Sequence, residues 1–226
     1  MLRRWKGVSL IISFLLVMSQ HAFAAAGAYS PFDTDTEGFR YYAPNDQNGP
    51  FLDADHDALN GYLNGLSSSN WWTFISPGHE DDPYSDSPYG GDWTELLNGK
   101  ISFDLYVVGD GLSQVADSTH DVFLDIPGED GTYYYTSIEL GALNQWNTYE
   151  LIISDEVFLQ GPNATIPLSA NLSEVDAILI RGDWLEDTTE TVYLDNVRVD
   201  PVPIPAAAWV LGTGLLGLIG IRRKMK

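Results

Sequence analysis

The sequence contains no cysteine. A chain of this length without disulfides must be stabilised by its hydrophobic core, with bound metal as a further means. Basic residues are scarce as well: 11 Lys and Arg stand against 32 Asp and Glu, and only four of the eleven lie between residues 25 and 200, where all the acidic residues are. So acidic a surface excludes nucleic acid as a partner and favours cations, high solubility or a salty exterior.

Catalytic motifs are missing too. The sequence has no Gly-x-Ser-x-Gly nucleophile elbow, no His-Glu-x-x-His zinc motif and no glycine-rich phosphate loop. A glycosidase needs only two carboxylates, but nothing in the sequence singles out one pair among the 32 acidic residues. The sequence therefore favours a protein that is not an enzyme and leaves an extracellular polysaccharide hydrolase as an alternative.

The N-terminus has the pattern of a secretory signal peptide. Arg3, Arg4 and Lys6 precede an apolar run at 8–18, and Ala22 and Ala24 offer a small-x-small cleavage site. Residues 1–24 are therefore predicted to direct export.

The C-terminal end has the pattern of a short membrane helix. Residues 206–221 are sixteen positions without a charge, which at about 1.5 Å per residue make a helix of about 24 Å, somewhat shorter than the hydrocarbon core of about 30 Å. Four basic residues follow within 222–226, and the positive-inside rule places them in the cytoplasm. The remainder of the chain would then lie on the outer side of the membrane.

The tail at 201–226 resembles the PEP-CTERM sorting signal, in the variant that reads Val-Pro-Leu-Pro-Ala. The likeness rests on the order of a proline motif at 202–206, a glycine-rich apolar helix and a basic end. It implies retention in the inner membrane, cleavage by an exosortase-type transpeptidase, and delivery to the cell surface or extracellular matrix. A permanent C-terminal anchor is the alternative. The motif is Val202-Pro203-Ile204-Pro205-Ala206, with isoleucine at the usual leucine position.

The body at 25–200 is predicted to be all-β. Apolar residues alternate with polar ones through 101–107, which is the period of a half-buried strand. Turn-forming residues separate the segments, and short strands at this spacing are typical of a single β-sandwich or jelly roll. Further strands are predicted at 122–126, 133–140, 149–153, 177–180 and 192–199.

Several pieces of the body resemble the laminin B domain, also called laminin IV type A, a jelly roll related in shape to many carbohydrate-binding modules. The resemblance spans about 32–199 and implies a non-catalytic role in binding or matrix structure. The pieces are Phe51-Leu52-Asp53-Ala54-Asp55, Trp71-Trp72-Thr73-Phe74, Gly99-Lys100-Ile101-Ser102-Phe103-Asp104-Leu105, Trp146, Ile178-Leu179-Ile180-Arg181-Gly182 and Leu194-Asp195-Asn196-Val197.

Four carboxylates are predicted calcium ligands. Asp33, Asp35 and Glu37 alternate, so an extended segment would point all three to one side. Asp195 shares the parity of Val197 and would face the core unless a bulge intervenes. Modules of the kind this body resembles often hold a structural Ca²⁺ between the first strand and an Asp of the last, and oxygen ligands suit that ion. Solvated carboxylates that bind no metal are the alternative.

Exposed tryptophans are the candidates for binding sugars, because a ring face stacks on the apolar C–H patches of a pyranose. Trp93 and Trp184 lie in acidic, loop-like contexts and are predicted to be exposed, and one of the adjacent pair Trp71 and Trp72 must face outward from a strand. Trp72 and Trp146 are predicted core residues. Trp71, Trp93 and Trp184 are therefore the predicted ligand-binding residues.

These observations predict an exported, non-catalytic surface or matrix protein that binds exopolysaccharide, with calcium as a possible structural ion. A purely structural acidic matrix protein, in which calcium links anionic polymers, is the first alternative. The polysaccharide hydrolase is the second.

Overall fold

A computed structural model describes residues 27–43, 51–65, 72–76, 89–109, 120–126, 132–186 and 190–202. The predicted signal peptide, Trp71 and the sorting segment from Pro203 onward lie outside these residues. Of the predicted sorting motif, only Val202 is described.

Within the described ranges the regular structure consists of β-strands and two 3-10 helices, Thr94–Leu96 and Leu168–Ala170. No described helix is long and apolar enough to span a membrane. The strands are β1 (Tyr29–Ser30), β2 (Arg40–Tyr42), β3 (Phe51–Asp53), β4 (Asp55–Asp57), β5 (Tyr62–Asn64), β6 (Thr73–Ile75), β7 (Lys100–Val108), β8 (Val122–Ile126), β9 (Thr132–Thr136), β10 (Trp146–Ile152), β11 (Leu159–Gln160), β12 (Ala177–Arg181) and β13 (Thr191–Asp200).

The strands form two antiparallel sheets. The first sheet has the order β10-β7-β13-β5-β4, and β1 also pairs with β13. The second sheet has the order β11-β9-β8-β12-β6-β2-β3. The predicted all-β sandwich is therefore confirmed.

The core lies between the two sheets and is filled by the alternate residues of each long strand. In β7, Ile101, Phe103 and Leu105 are buried while Ser102 and Asp104 on the opposite face are half-buried. This is the pattern expected when one face of a sheet packs on a second layer. The largest fully buried side chains include Trp72, Tyr41, Phe74, Phe103, Tyr134 and Phe158.

One predicted strand ends early. The segment 133–140 is rich in strand formers, but β9 ends at Thr136. Two residues later the Ile138 N–H donates to Asp121 Oδ2 at 2.9 Å, so this backbone group bonds to a side chain instead of to a neighbouring strand. The carboxylate of Asp121, the residue just before β8, thus takes the place of the strand-to-strand backbone hydrogen bond at this point.

Candidate functional site

Four aromatic rings form a continuous patch on the outer face of the first sheet. Trp146 on β10, Tyr106 on β7 and Tyr193 on β13 lie opposite one another in register, and Tyr62 comes from β5. Each ring contacts two others: the centroid distances are 4.7 Å for Tyr62–Tyr193, 5.6 Å for Tyr106–Trp146, and 5.7 Å for both Tyr62–Trp146 and Tyr106–Tyr193. We call these four residues the aromatic patch.

The aromatic patch is accessible from solvent. Trp146 is 41% exposed, and the three tyrosines are partly exposed. Their neighbours along the strands, such as Leu105 and Leu194, point to the opposite face and are buried in the core. The rings therefore lie outside the sandwich and are not part of its core packing.

A row of polar side chains runs beside the aromatic patch. Thr148, Asp104 and Asp195 lie opposite one another on β10, β7 and β13, two residues along from Trp146, Tyr106 and Tyr193. Thr148 Oγ1 donates to Asp104 Oδ1 at 2.6 Å. Because residues two apart in a strand share a face and lie about 7 Å apart, this polar row borders the aromatic patch along its length.

The direction of Asp195 is set by a bulge in β13. The register with β7 shifts between Asp195 and Arg198, and Asn196 has a positive φ of 52°. An extra residue reverses the parity of a strand, so the face on which Asp195 lies cannot be inferred from Val197. Leu194 and Val197 are both buried, whereas Asp195 is half-buried on the outer side. The bulge for which the prediction allowed is therefore present, and Asp195 does not face the core.

Asn196 stabilises this bulge with both its side chain and its backbone. Its Oδ1 accepts from the Tyr29 hydroxyl at 2.9 Å, and its Nδ2 donates to Asp104 Oδ2, also at 2.9 Å. Its backbone N–H donates to Asp195 Oδ1 at 2.6 Å. Asparagine tolerates the left-handed region better than most other non-glycine residues, so the residue type suits the bulge.

Asp195 has an unusual environment for a carboxyl group. Burial, together with the negative charges of Asp104 and Asp33, raises the pKa of Asp195 to about 6, and the hydrogen bond from Asn196 only partly offsets this. Near neutral pH the group is mostly ionised and repels its neighbours.

Replacing Asp195 with Asn is expected to stabilise the fold at about pH 7. A carboxyl whose pKa is raised on folding contributes stability below its unfolded pKa of about 4, and that stability is lost as the pH rises through about 6. Asn keeps an acceptor for the Asn196 N–H and avoids the buried charge, so we expect a gain of about 1 kcal/mol after allowing for solvent screening. Urea unfolding of the full chain at about pH 7 and about pH 4 measures it.

The matched control is Asp53→Asn, because the Asp53 side chain is 98% exposed and its removal changes the net charge equally. We expect a gain for Asp195→Asn that disappears at the lower pH, and no such gain for Asp53→Asn. An equal gain for both variants would show that general charge repulsion, and not the site of Asp195, is responsible.

The other predicted calcium ligands do not form the expected extended row. Residues 33–38 form a bend and a turn, in which Glu37 has a positive φ of 48° and its N–H donates to Asp35 Oδ1 at 2.8 Å. Asp33 acts electrostatically on Asp195. Among the described residues, no three His, Cys, Asp or Glu side chains are grouped to hold a metal ion. Calcium binding by Asp33, Asp35, Glu37 and Asp195 stays a prediction. Urea unfolding of the full chain with calcium and with a chelator tests it, because a bound ion stabilises the fold.

The tryptophans are distributed differently from the prediction. Trp93 is 2% exposed and Trp184 is 1% exposed, so neither ring can present a face to a sugar, and that prediction is wrong for both. Trp184 is held inside by its Nε1–H, which donates to the Arg181 carbonyl at 2.9 Å. Trp72 is fully buried as predicted, whereas Trp146 belongs to the aromatic patch instead of the core.

Two further carboxylates lie at the far edge of the patch. Asp57 is paired with Tyr62 across β4 and β5, and Asp55 is paired with Asn64. Hydrogen bonds from Asn60 hold the pKa of Asp57 below its usual value, so Asp57 is ionised. Burial and the charge of Asp57 raise the pKa of the Tyr62 hydroxyl, which remains a neutral hydrogen-bonding group. Carboxylates therefore border the aromatic patch on two sides.

No protein-family model and no characterised protein matches the sequence. Solved structures match it by fold. The L4b domain of human laminin alpha-2 has a TM-score of 0.55 at 8% identity, over 79% of this chain and 98% of that domain. This chain has a laminin-like fold.

Other solved structures match this chain with lower TM-scores. An exo-beta-agarase has a TM-score of 0.45 at 16% identity over 79% of this chain, which spans only 25% of that enzyme. A family 11 carbohydrate-binding module from Clostridium thermocellum, solved in complex with a beta-1,3-1,4-mixed-linked tetrasaccharide, has a TM-score of 0.37 at 15% identity, over 78% of this chain and 84% of that module.

Proposed function

We propose that this chain is an exported, non-catalytic protein that binds polysaccharide on the outer face of its first sheet. The observation that carries the proposal is the aromatic patch, in which Trp146 is 41% exposed and Tyr62, Tyr106 and Tyr193 complete a connected surface of rings.

The chemistry of the patch suits a sugar chain. Ring faces stack on the apolar C–H faces of pyranoses, and flanking oxygens accept hydrogen bonds from hydroxyl groups. Two strand spacings separate Trp146 from Tyr193, a backbone distance of about 10 Å, which gives room for about two sugar rings. Thr148, Asp104 and Asn64 lie beside the rings as hydrogen-bonding groups.

Export and delivery are part of the same proposal. The pattern at 1–24 supports secretion, and the resemblance at 201–226 supports transient retention in the inner membrane and processing by an exosortase-type enzyme. The protein would then present the aromatic patch at the cell surface or in the extracellular matrix.

Trp146→Ala is expected to weaken polysaccharide binding by about 30-fold. Loss of a tryptophan from a binding surface commonly costs about 2 kcal/mol. Trp146→Ala should leave the fold unchanged, because the ring is outside the core. The measurement is affinity electrophoresis of the full chain in gels that contain β-glucan, xylan, agarose, chitin or chitosan.

The matched control is Tyr29→Ala. Tyr29 is 46% exposed and belongs to the same sheet, but its ring lies against Arg198 at 4.2 Å and outside the patch. The proposal is supported if a polysaccharide retards the wild-type chain and Tyr29→Ala but does not retard Trp146→Ala. If none of the polysaccharides retards the wild-type chain, or if both variants migrate like the wild type, the aromatic patch is not a glycan site. The alternative of a purely structural acidic matrix protein is then favoured.

A further inference from the structure

The aromatic patch has carboxylates beside it, and none of the contacts described for its four rings joins it to a basic residue. Asp104 and Asp195 lie opposite each other on the same face, each two residues along its strand from Tyr106 or Tyr193. Asp57 and Asp55 lie at the opposite edge, next to Tyr62 and Asn64. A ligand that stacks on the rings therefore places its substituents above carboxylates.

The basic residues of the body make their contacts elsewhere. Only four Lys and Arg lie between residues 25 and 200, and all four are described. Arg40 is 3.6 Å from Asp53, Lys100 pairs with Glu150, Arg181 pairs with Asp121, and Arg198 lies over the Tyr29 ring. None of these described contacts involves a carboxylate beside the aromatic patch. Arg198 lies on the same face, opposite Ser102 and two residues along β7 from Asp104, so four carboxylates stand against one basic residue in this region.

We infer that the aromatic patch selects polysaccharides whose sugars carry free, protonated amino groups. This inference rests on the proposed function and names its ligand class. The negative face of an aromatic ring attracts an ammonium group. A carboxylate two residues along the same strand pairs with the same group. An anionic polymer would meet repulsion from four carboxylates at the same face, and a neutral polymer would gain stacking alone.

Three ligands that differ at one substituent test this inference. β-1,4-linked hexamers of glucosamine, N-acetylglucosamine and glucose have an ammonium, an acetamido and a hydroxyl group at C2 respectively. The full chain is expected to bind the glucosamine hexamer about tenfold more tightly than the other two at low salt, since two partly exposed charge contacts each add a modest gain. The preference should fall as salt is added, because salt screens exposed charges.

Asp104→Asn/Asp195→Asn is the test variant and Asp53→Asn is the control. The double variant should lose the preference for glucosamine, so that it binds the glucosamine and glucose hexamers about equally. Asp53→Asn should keep the preference, because Asp53 belongs to the second sheet. The thermal melt of each variant verifies that it is folded.

The outcomes separate this inference from the proposed function. Equal binding of all three hexamers by the wild type, with loss on Trp146→Ala, would overturn the selectivity and leave glycan binding in place. The double variant removes two negative charges and Asp53→Asn removes one. A preference that Asp53→Asn reduces by half as much, in free energy, as the double variant does would show attraction by net charge alone and would also overturn the inference. Failure of every hexamer and every polysaccharide to bind would overturn the proposed function itself.

Discussion

Asp121→Ala is expected to lower the free energy of unfolding by about 3 to 5 kcal/mol, because the buried Arg181 guanidinium loses the Asp121 carboxylate. Arg181 is 4% exposed and Asp121 is 2% exposed. The Arg181 Nη1–H donates to Asp121 Oδ1 at 3.0 Å, and Asp121 Oδ2 also accepts from the Ile138 N–H. Alanine removes both acceptors at once and leaves a buried positive charge.

The double variant Asp121→Leu/Arg181→Met is the control for this prediction. Replacing both members of a buried ion pair with apolar side chains is commonly much less costly than removing one member. Urea unfolding is therefore expected to give a smaller loss for the double variant than for Asp121→Ala. A loss below about 1 kcal/mol for Asp121→Ala would mean that water solvates the pair and that the pair is not a structural element.

Gly182→Ala is expected to destabilise the fold by about 3 kcal/mol through overpacking. A Cβ at position 182 would lie 2.2 Å from Cζ3 of Trp72, a fully buried ring. The ring cannot move aside readily, because it packs edge-on against Tyr41 and Phe74 at centroid distances of 5.5 Å and 4.9 Å. Gly182 does not have a positive φ, so the cost comes from this contact and not from backbone strain.

A double-mutant cycle tests that explanation directly. Trp72→Phe removes the outer ring atoms that approach Gly182, so Gly182→Ala should cost clearly less in the Trp72→Phe background than in the wild type. The urea midpoint of the four proteins measures the coupling. Additive losses would show that Gly182 is needed for a reason other than the space occupied by Trp72.

The long strands can be predicted from the sequence because their alternation is visible. β7 and β8 follow the apolar period, β13 follows it on either side of its bulge, and β12 is a continuous apolar run. All four lie within a residue or two of the predicted bounds. The first six strands are not predicted by the sequence pattern, and each has only two or three residues. A period of two cannot be recognised over so short a run, so tertiary pairing and not local pattern determines these strands.

The candidate site is partly visible in the same alternation. Trp146 has the parity of Thr148 and Glu150, which are exposed in β10, and Tyr106 has the parity of Asp104 in β7. An aromatic residue at the polar positions of a strand faces solvent, and this signal places both rings on the outer face. The size of the tryptophan side chain and its place in a laminin B-like segment favour the core instead, and for Trp146 that prediction is wrong.

The errors at Trp93 and Trp184 have a different cause. Both lie among acidic, loop-forming residues, and that composition predicts exposure. In the fold, Trp184 packs under the Arg181 guanidinium at 5.1 Å and donates to the Arg181 carbonyl. The bulge at Asn196 is a similar case, since a single extra residue reverses the expected direction of Asp195. Such contacts depend on long-range packing that no local pattern contains.

The last strand also determines how the domain would respond to mechanical tension. Tyr193 lies near the start of β13 and Asp200 ends it, a separation of about 23 Å along the strand. A pull between a polymer held at the rings and the chain beyond Asp200 would therefore run along β13. The hydrogen bonds to β7 and β1 are perpendicular to that direction, so they resist together in shear and do not open one after another. β13 would thus make the domain a stiff link between a polymer bound at the rings and the part of the chain that follows Asp200.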